Sequence, residues 1–299
     1  MPARQFVLLL LATSGALAMA AQTNDLLGAA DLAHFAQPPA DARIHYGGDP
    51  LQFGDLRLPP RDGPHPVAVM IHGGCWLAEY DIAHSSALSA ALARSGIATW
   101  SLEYRRIGDA GGGYPGTLED VAHGADHLRA IAGQYDLDLD RVITMGHSAG
   151  GQLALWLAVR ERLPAAAPFD AAAPLAVRGV LALAPAADFD YLYERGTCEG
   201  AVARLMGAAP RELPGPYAWS DPMRFPAPPV PQVIVVGRYD ETWSPPARNY
   251  FRKARARGDD IRLLEAPESG HFELIDPRSS TWPLVLGAAR ELLGVDTGE

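Results

Sequence analysis

Gly146-His147-Ser148-Ala149-Gly150 reads G-x-S-x-G, and it stands between an apolar run over residues 141–146 and a helical pattern over 150–160. In that setting the motif is a strand–turn–helix elbow that lifts a serine out of a sheet. A side chain at 146 or 150 would strike neighbouring backbone in so tight a turn, so the chemistry needs both glycines. A serine hydroxyl is a poor nucleophile until a base takes its proton. His271, in Glu268-Ser269-Gly270-His271-Phe272, follows the last extended segment and is the expected base. The base in turn needs an acid on its other ring nitrogen to fix its tautomer and orientation. Asp240 follows the run over 232–236 and falls between serine and histidine, the chain order this chemistry uses, with Glu241 as the competing carboxylate. Charge that develops on the attacked oxygen must meet hydrogen-bond donors. The backbone N–H groups of Gly73, Gly74 and Ala149 are the expected oxyanion donors, since no side chain screens the two glycines. Together these residues spell nucleophilic acyl transfer through a covalent acyl intermediate. In this reading His72 holds the oxyanion loop by hydrogen bonds, and Trp76 walls the substrate pocket.

The remaining histidines have plainer readings. His123 and His127 fall on a helix, His147 is buried under the elbow, His84 precedes a helix, and His34, His45 and His65 lie before the core of the sheet. No cluster of His, Cys, Asp or Glu has ligand spacing, so neither a metal nor another cofactor is expected.

Strands and helices must alternate to carry such residues. Extended segments fall at 43–46, 51–58, 66–71, 97–104, 141–146, 177–184, 232–236 and 261–264, the first two as an edge hairpin. Helical patterns fall at 85–94, 117–131, 150–160, 246–257 and 281–293, with Thr117 and Asp120 in capping-box-like positions. That rhythm predicts an α/β fold, a mostly parallel sheet of about eight strands covered by helices, with ligands bound beyond the carboxyl ends of the strands. Residues 186–231 break the rhythm and crowd eight prolines into 210–231. They read as a short cap, with 188–206 overhanging the site, and not as a second domain.

The motifs resemble a known group. His72-Gly73-Gly74-Cys75-Trp76, Gly146-His147-Ser148-Ala149-Gly150-Gly151 and Gly270-His271-Phe272-Glu273-Leu274-Ile275 look like the esterase/lipase branch of the α/β-hydrolase fold. That branch includes hormone-sensitive-lipase-like esterases, feruloyl- and acetyl-xylan-esterase-like proteins and kynurenine formamidases. Glu103-Tyr104-Arg105-Arg106 and Pro115 to Val121 are similar to the segment that follows the oxyanion loop there. The resemblance covers roughly residues 45–290 and implies the same triad roles. It implies ester hydrolysis, with arylformamidase activity as the alternative. Cys75 replaces the third glycine of the lipase-type loop, as a bulkier residue does in formamidases.

Composition bounds the rest. The chain has 299 residues, 48% of them apolar, and a net charge of −10, which leaves no basic face for nucleic acid. Its expected partner is a small-molecule ester; oligomeric state is not legible. Residues 1–20 carry one early arginine, an apolar run over 6–17 and the small-large-small Ala18-Met19-Ala20, the pattern of a cleaved signal peptide. The run is short for a membrane span, so residues 21–299 are expected as one domain in the periplasm or outside the cell. There the two cysteines, Cys75 and Cys198, can form a disulfide; a buried thiol at 75 and a free one at 198 is the alternative.

Overall fold

The computed structural model describes residues 26–169 and 174–295, so the export signal expected at 1–20 lies outside the described residues. The strands are β1 (Ala42–His45), β2 (Phe53–Arg57), β3 (His65–Ile71), β4 (Ala98–Leu102), β5 (Leu137–His147), β6 (Gly179–Leu183), β7 (Gln232–Gly237) and β8 (Ile261–Ala266). They form one sheet in the order β1-β2-β4-β3-β5-β6-β7-β8. From β4 to β8 every pairing is parallel. The β1–β2 hairpin adds antiparallel to β4. Strands β3, β4, β6 and β7 are buried along their whole length. Both faces of the sheet are therefore covered, which is why these strands read as unbroken apolar runs.

The expected edge hairpin is only half correct. Strand β1 alternates between partly covered and exposed residues, whereas β2 is buried throughout. The outer strand takes the edge, and β2 becomes an interior strand.

The helices are α1 (Ser86–Arg94), α2 (Gly116–Asp126), α3 (Leu128–Ile131), α4 (Ala149–Val159), α5 (Phe189–Glu194), α6 (Thr197–Met206), α7 (Pro214–Ser220), α8 (Ser244–Arg257) and α9 (Trp282–Leu293). The predicted helix over 117–131 is thus two helices that meet at His127. The capping-box reading of Thr117 and Asp120 also fails. The helix starts at Gly116, so Thr117 lies inside the first turn, where its hydroxyl donates to Arg105 O at 2.6 Å. Asp120 receives the Arg105 guanidinium at 2.6 and 2.7 Å and Gln52 Nε2 at 2.7 Å. The Arg105 backbone N–H joins them at 3.0 Å, so the carboxylate serves Arg105 and Gln52 and does not cap the helix.

Helices α5, α6 and α7 fill the break between β6 and β7 and form the cap. Cys198, inside α6, is bonded to Cys75 of the loop after β3, with Cα atoms 6.3 Å apart. Both ends of the bridge sit in left-handed backbone, with φ of 54° at Cys75, 50° at Cys198 and 55° at Glu199. Such conformations cost side-chain-bearing residues on the order of 1 kcal/mol or more each. The covalent tie opposes their relaxation.

The bridge closes a separation of 123 residues, for which the chain-entropy model gives about 5 kcal/mol. Reduction, or Cys198→Ser, should therefore lower Tm by roughly 10 °C while leaving the far-ultraviolet dichroism intact. An unchanged melting curve under reductant would contradict this role.

Candidate active site

Ser148 joins β5 to α4 with φ 56° and ψ −120°. Two close approaches make that turn possible. A Cβ on Gly146 would stand 2.1 Å from Gly150 O, and one on Gly150 would stand 2.2 Å from Ile71 O. The serine backbone is tied on both sides. Its N–H donates to Leu183 O at 2.8 Å, and its carbonyl accepts from Gly151 N and Ala186 N, each at 3.0 Å. The hydroxyl has no hydrogen-bond partner among the described residues and sits at the N-terminus of α4, which favours negative charge beside it.

The loop after β3 lies against this serine. A Cβ on Gly73 would meet His147 O at 2.7 Å and Ser148 Cβ at 3.1 Å. Gly74 takes φ 103°, and its missing side chain is replaced by the Tyr80 ring. Among the described residues no acceptor takes the N–H groups of Gly73, Gly74 or Ala149. These are the three donors expected from the sequence.

Behind the loop, His72 Nδ1 contacts Gly73 O at 2.8 Å and Nε2 contacts Glu103 Oε1 at 3.1 Å. Tyr104 stacks on the same ring with centroids 4.4 Å apart and donates its hydroxyl to His72 O at 2.8 Å. Glu103 also accepts from Ile82 N at 3.0 Å and pairs with Arg106 at 3.0 Å. Burial opposes ionisation of Glu103, yet the adjoining His72 and Arg106 hold its carboxyl below the usual range. His72 thus supports the loop, as expected. The sequence reading noticed Glu103 and Tyr104 only as part of a resemblance and assigned them no task.

Trp76 departs from expectation. It is 1% exposed, donates Nε1–H to Gln152 Oε1 at 3.1 Å and meets Phe189 edge-on at 5.5 Å. Its indole is sandwiched between α4 and the cap, so it supports the loop from behind and does not face open space.

Asp240 and His271 come from the loops after β7 and β8. Gly237 lets them touch, since a Cβ there would stand 2.0 Å from Gly270 O. Tyr239 N donates to Ser269 O at 3.0 Å across the same junction. His271 Nδ1 lies 2.7 Å from Asp240 Oδ2. The other carboxylate oxygen accepts from Trp243 N at 2.9 Å and Thr242 N at 3.2 Å, and the Trp243 ring stacks on the imidazole at 5.4 Å. Glu241 is exposed, so Asp240 is the acid in contact. The hydrogen bond expected between His271 and Ser148 is not formed among the described residues; such contacts are often long without substrate.

Cap residues 188–206 sit at this end of the sheet. Ala186 N reaches Ser148 O, Phe189 touches Trp76, and Cys198 is bonded to Cys75. One further contact was not anticipated: His84, read only as preceding a helix, is hydrogen-bonded to His147 at 2.9 Å.

Among known proteins, the family model described as BD-FAE matches residues 55–251. The Probable isoprenylcysteine alpha-carbonyl methylesterase ICMEL1 of Arabidopsis thaliana is 30% identical over 129 residues, 43% of this chain and 26% of that protein. The Versiconal hemiacetal acetate esterase of Dothistroma septosporum is 30% identical over 139 residues, 46% of this chain and 40% of that protein. The matched stretch is about a quarter of the length of the isoprenylcysteine methylesterases. A solved structure named Bacterial Heroin Esterase superposes with a TM-score of 0.69 at 20% identity, covering 88% of each chain. At that identity the likeness is one of fold.

The elbow contacts make a stability prediction. Gly150→Ala would drive a methyl into the backbone of Ile71 and His72, at 2.2 and 2.4 Å, and should cost about 1–3 kcal/mol, or several degrees of Tm. A variant that melts with the parent would show that the turn is looser than described.

Proposed function

The chain belongs to the BD-FAE family, and from that membership we propose that it is a carboxylic ester hydrolase that uses Ser148, His271 and Asp240 to cleave small to medium esters. One observation carries the reading: at the carboxyl end of the sheet lie the elbow serine, three N–H groups that, like its hydroxyl, have no partner among the described residues, and the His271–Asp240 pair. Names of relatives, a methylesterase and an acetate esterase, support small ester groups.

In the proposed reaction Ser148 Oγ attacks the ester carbonyl carbon while His271 Nε2 takes the hydroxyl proton. Asp240 holds the Nδ1–H and stabilises the imidazolium. The N–H groups of Gly73, Gly74 and Ala149 receive the oxyanion. Collapse expels the alcohol, which leaves with the proton from His271. Water, deprotonated by His271, then attacks the acyl-enzyme, and collapse returns the proton to Ser148 and releases the acid. Residues 188–206 limit the space for the acyl group, with the Cys75–Cys198 bond tying that segment to the oxyanion loop. The bond also supports export, since disulfides persist in oxidising compartments.

Ser148→Ala should lower kcat by at least ~10³-fold and leave the melting curve in place; retention of a tenth of the parent kcat would overturn the assignment. Asp240→Asn should cost about 10⁴ in kcat, whereas Glu241→Gln should stay within about twofold. The reverse ranking would transfer the role to Glu241. Rates on an acetate ester and on N-formylkynurenine, measured side by side, test the substrate class: faster turnover of the formamide would replace the esterase reading by arylformamidase activity.

A further inference from the structure

Two buried imidazoles outside the proposed triad link the elbow, the oxyanion loop and the loop that carries His271. His84 belongs to the 3-10 turn Ile82–Ser85, and His147 precedes the nucleophile. His84 Nε2 and His147 Nδ1 are 2.9 Å apart, and His147 Nε2 lies 3.0 Å from the carbonyl oxygen of His271. On the other side His84 abuts the oxyanion loop, for a Cβ on Gly73 would stand 3.0 Å from its Nε2. The edge of Phe272 closes the group, its ring centroid 6.4 Å from His84 and 5.9 Å from His147.

The positions of the protons follow from the partners. A carbonyl oxygen only accepts, so His147 Nε2 carries a hydrogen. Burial pushes both imidazoles well below their ordinary range, and neighbouring histidines act in the same direction. Each ring is therefore neutral and carries one proton. His147 Nδ1 is then bare and accepts from His84 Nε2–H. His84 Nδ1 is bare in turn, and it is a buried nitrogen with no partner among the described residues. The opposite arrangement would turn a lone pair of His147 toward the His271 carbonyl and bury an unpaired N–H at His84 Nδ1, so the chain of donors runs one way only.

We propose that His84 and His147 are positioning residues: a neutral, one-directional hydrogen-bond chain from His84 through His147 to the carbonyl of His271 that sets the pivot of the base relative to the nucleophile and the oxyanion loop. His271 has its side chain fixed by Asp240, and this chain fixes its backbone. The effect on turnover rests on the serine-hydrolase reading, whereas the proton arrangement does not.

The test compares two substitutions in the full mature chain with p-nitrophenyl acetate as substrate. His84→Phe keeps the ring volume and removes the donor; His84→Gln keeps an uncharged N–H donor of similar reach. The phenylalanine variant should lose roughly tenfold to a hundredfold in kcat, with KM within about threefold of the parent. The glutamine variant should recover most of the loss. Nitrogen-15 spectra of the parent imidazoles at neutral pH should show Nε2 protonated and Nδ1 bare on both rings. A wild-type kcat in His84→Phe, a His84→Gln variant as slow as the phenylalanine one, or a protonated Nδ1 on either ring would overturn the proposal. Should His84→Phe not fold, the glutamine variant and the spectra decide. Turnover that survives Ser148→Ala would instead overturn the hydrolase reading and leave the spectra to judge the proton arrangement.

Discussion

Backbone meets backbone where Gly146 and Gly150 pass within the space of a single missing methyl group. Ser148 can hold φ 56° only because those neighbours have no side chains. The same closeness sets where β5 ends and α4 begins, and it brings α4 against the carbonyls of Ile71 and His72, at the root of the oxyanion loop. Ser148 and the N–H groups of Gly73, Gly74 and Ala149 thus share one steric junction. A wider turn would lower the serine into the sheet and carry the Ala149 N–H away from the loop.

A buried carboxylate holds the other side of that loop. Ionised Glu103 pays a desolvation penalty that only close partners offset. His72, Arg106, Ile82 N and Tyr104 N surround it within 3.1 Å. The partners come from three segments, so the charge gathers the chain after β3, the chain after β4 and the turn before α1 onto one point. A loop held in this manner keeps its N–H groups aimed before charge develops, which is the condition for electrostatic stabilisation without reorganisation. Trp76, bonded to Gln152 and capped by Phe189, stiffens the loop on its far side.

Ser148, Asp240 and His271 stand out in the sequence as the proposed triad because chemistry restricts both residue type and place. Serine in a glycine elbow, an acid after β7 and a histidine after β8 each fall at a strand end, and parallel buried strands announce themselves as apolar runs. What sequence could not supply was tertiary proximity. Nothing in the local pattern of residues 51–58 says that another strand will cover their edge. The three cap helices do not emerge from the pattern of residues 186–231, which breaks the strand–helix rhythm and crowds prolines into 210–231, yet Pro214 opens α7, a position where its missing N–H costs nothing. Asp120 looked like a cap because its partner Arg105 is fifteen residues away in sequence. His84 and His147 are separated by 63 residues, and no periodicity joins them. The pairing of Cys75 with Cys198 stayed open for the same reason.

That pairing has a topological consequence. Residues 75–198 form a covalent ring, and the ring contains Ser148 and Ala149, with Gly73 and Gly74 just outside its closure. Asp240 and His271 lie on the open tail beyond it. A single proteolytic cut anywhere inside the ring would leave both pieces joined through sulfur, with nucleophile and oxyanion loop still on one molecule. A cut between 207 and 231, in contrast, would part that ring from the strand pair that carries Asp240 and His271, leaving noncovalent contacts, the β6–β7 pairing and the His147–His271 hydrogen bond among them, to hold the two halves together.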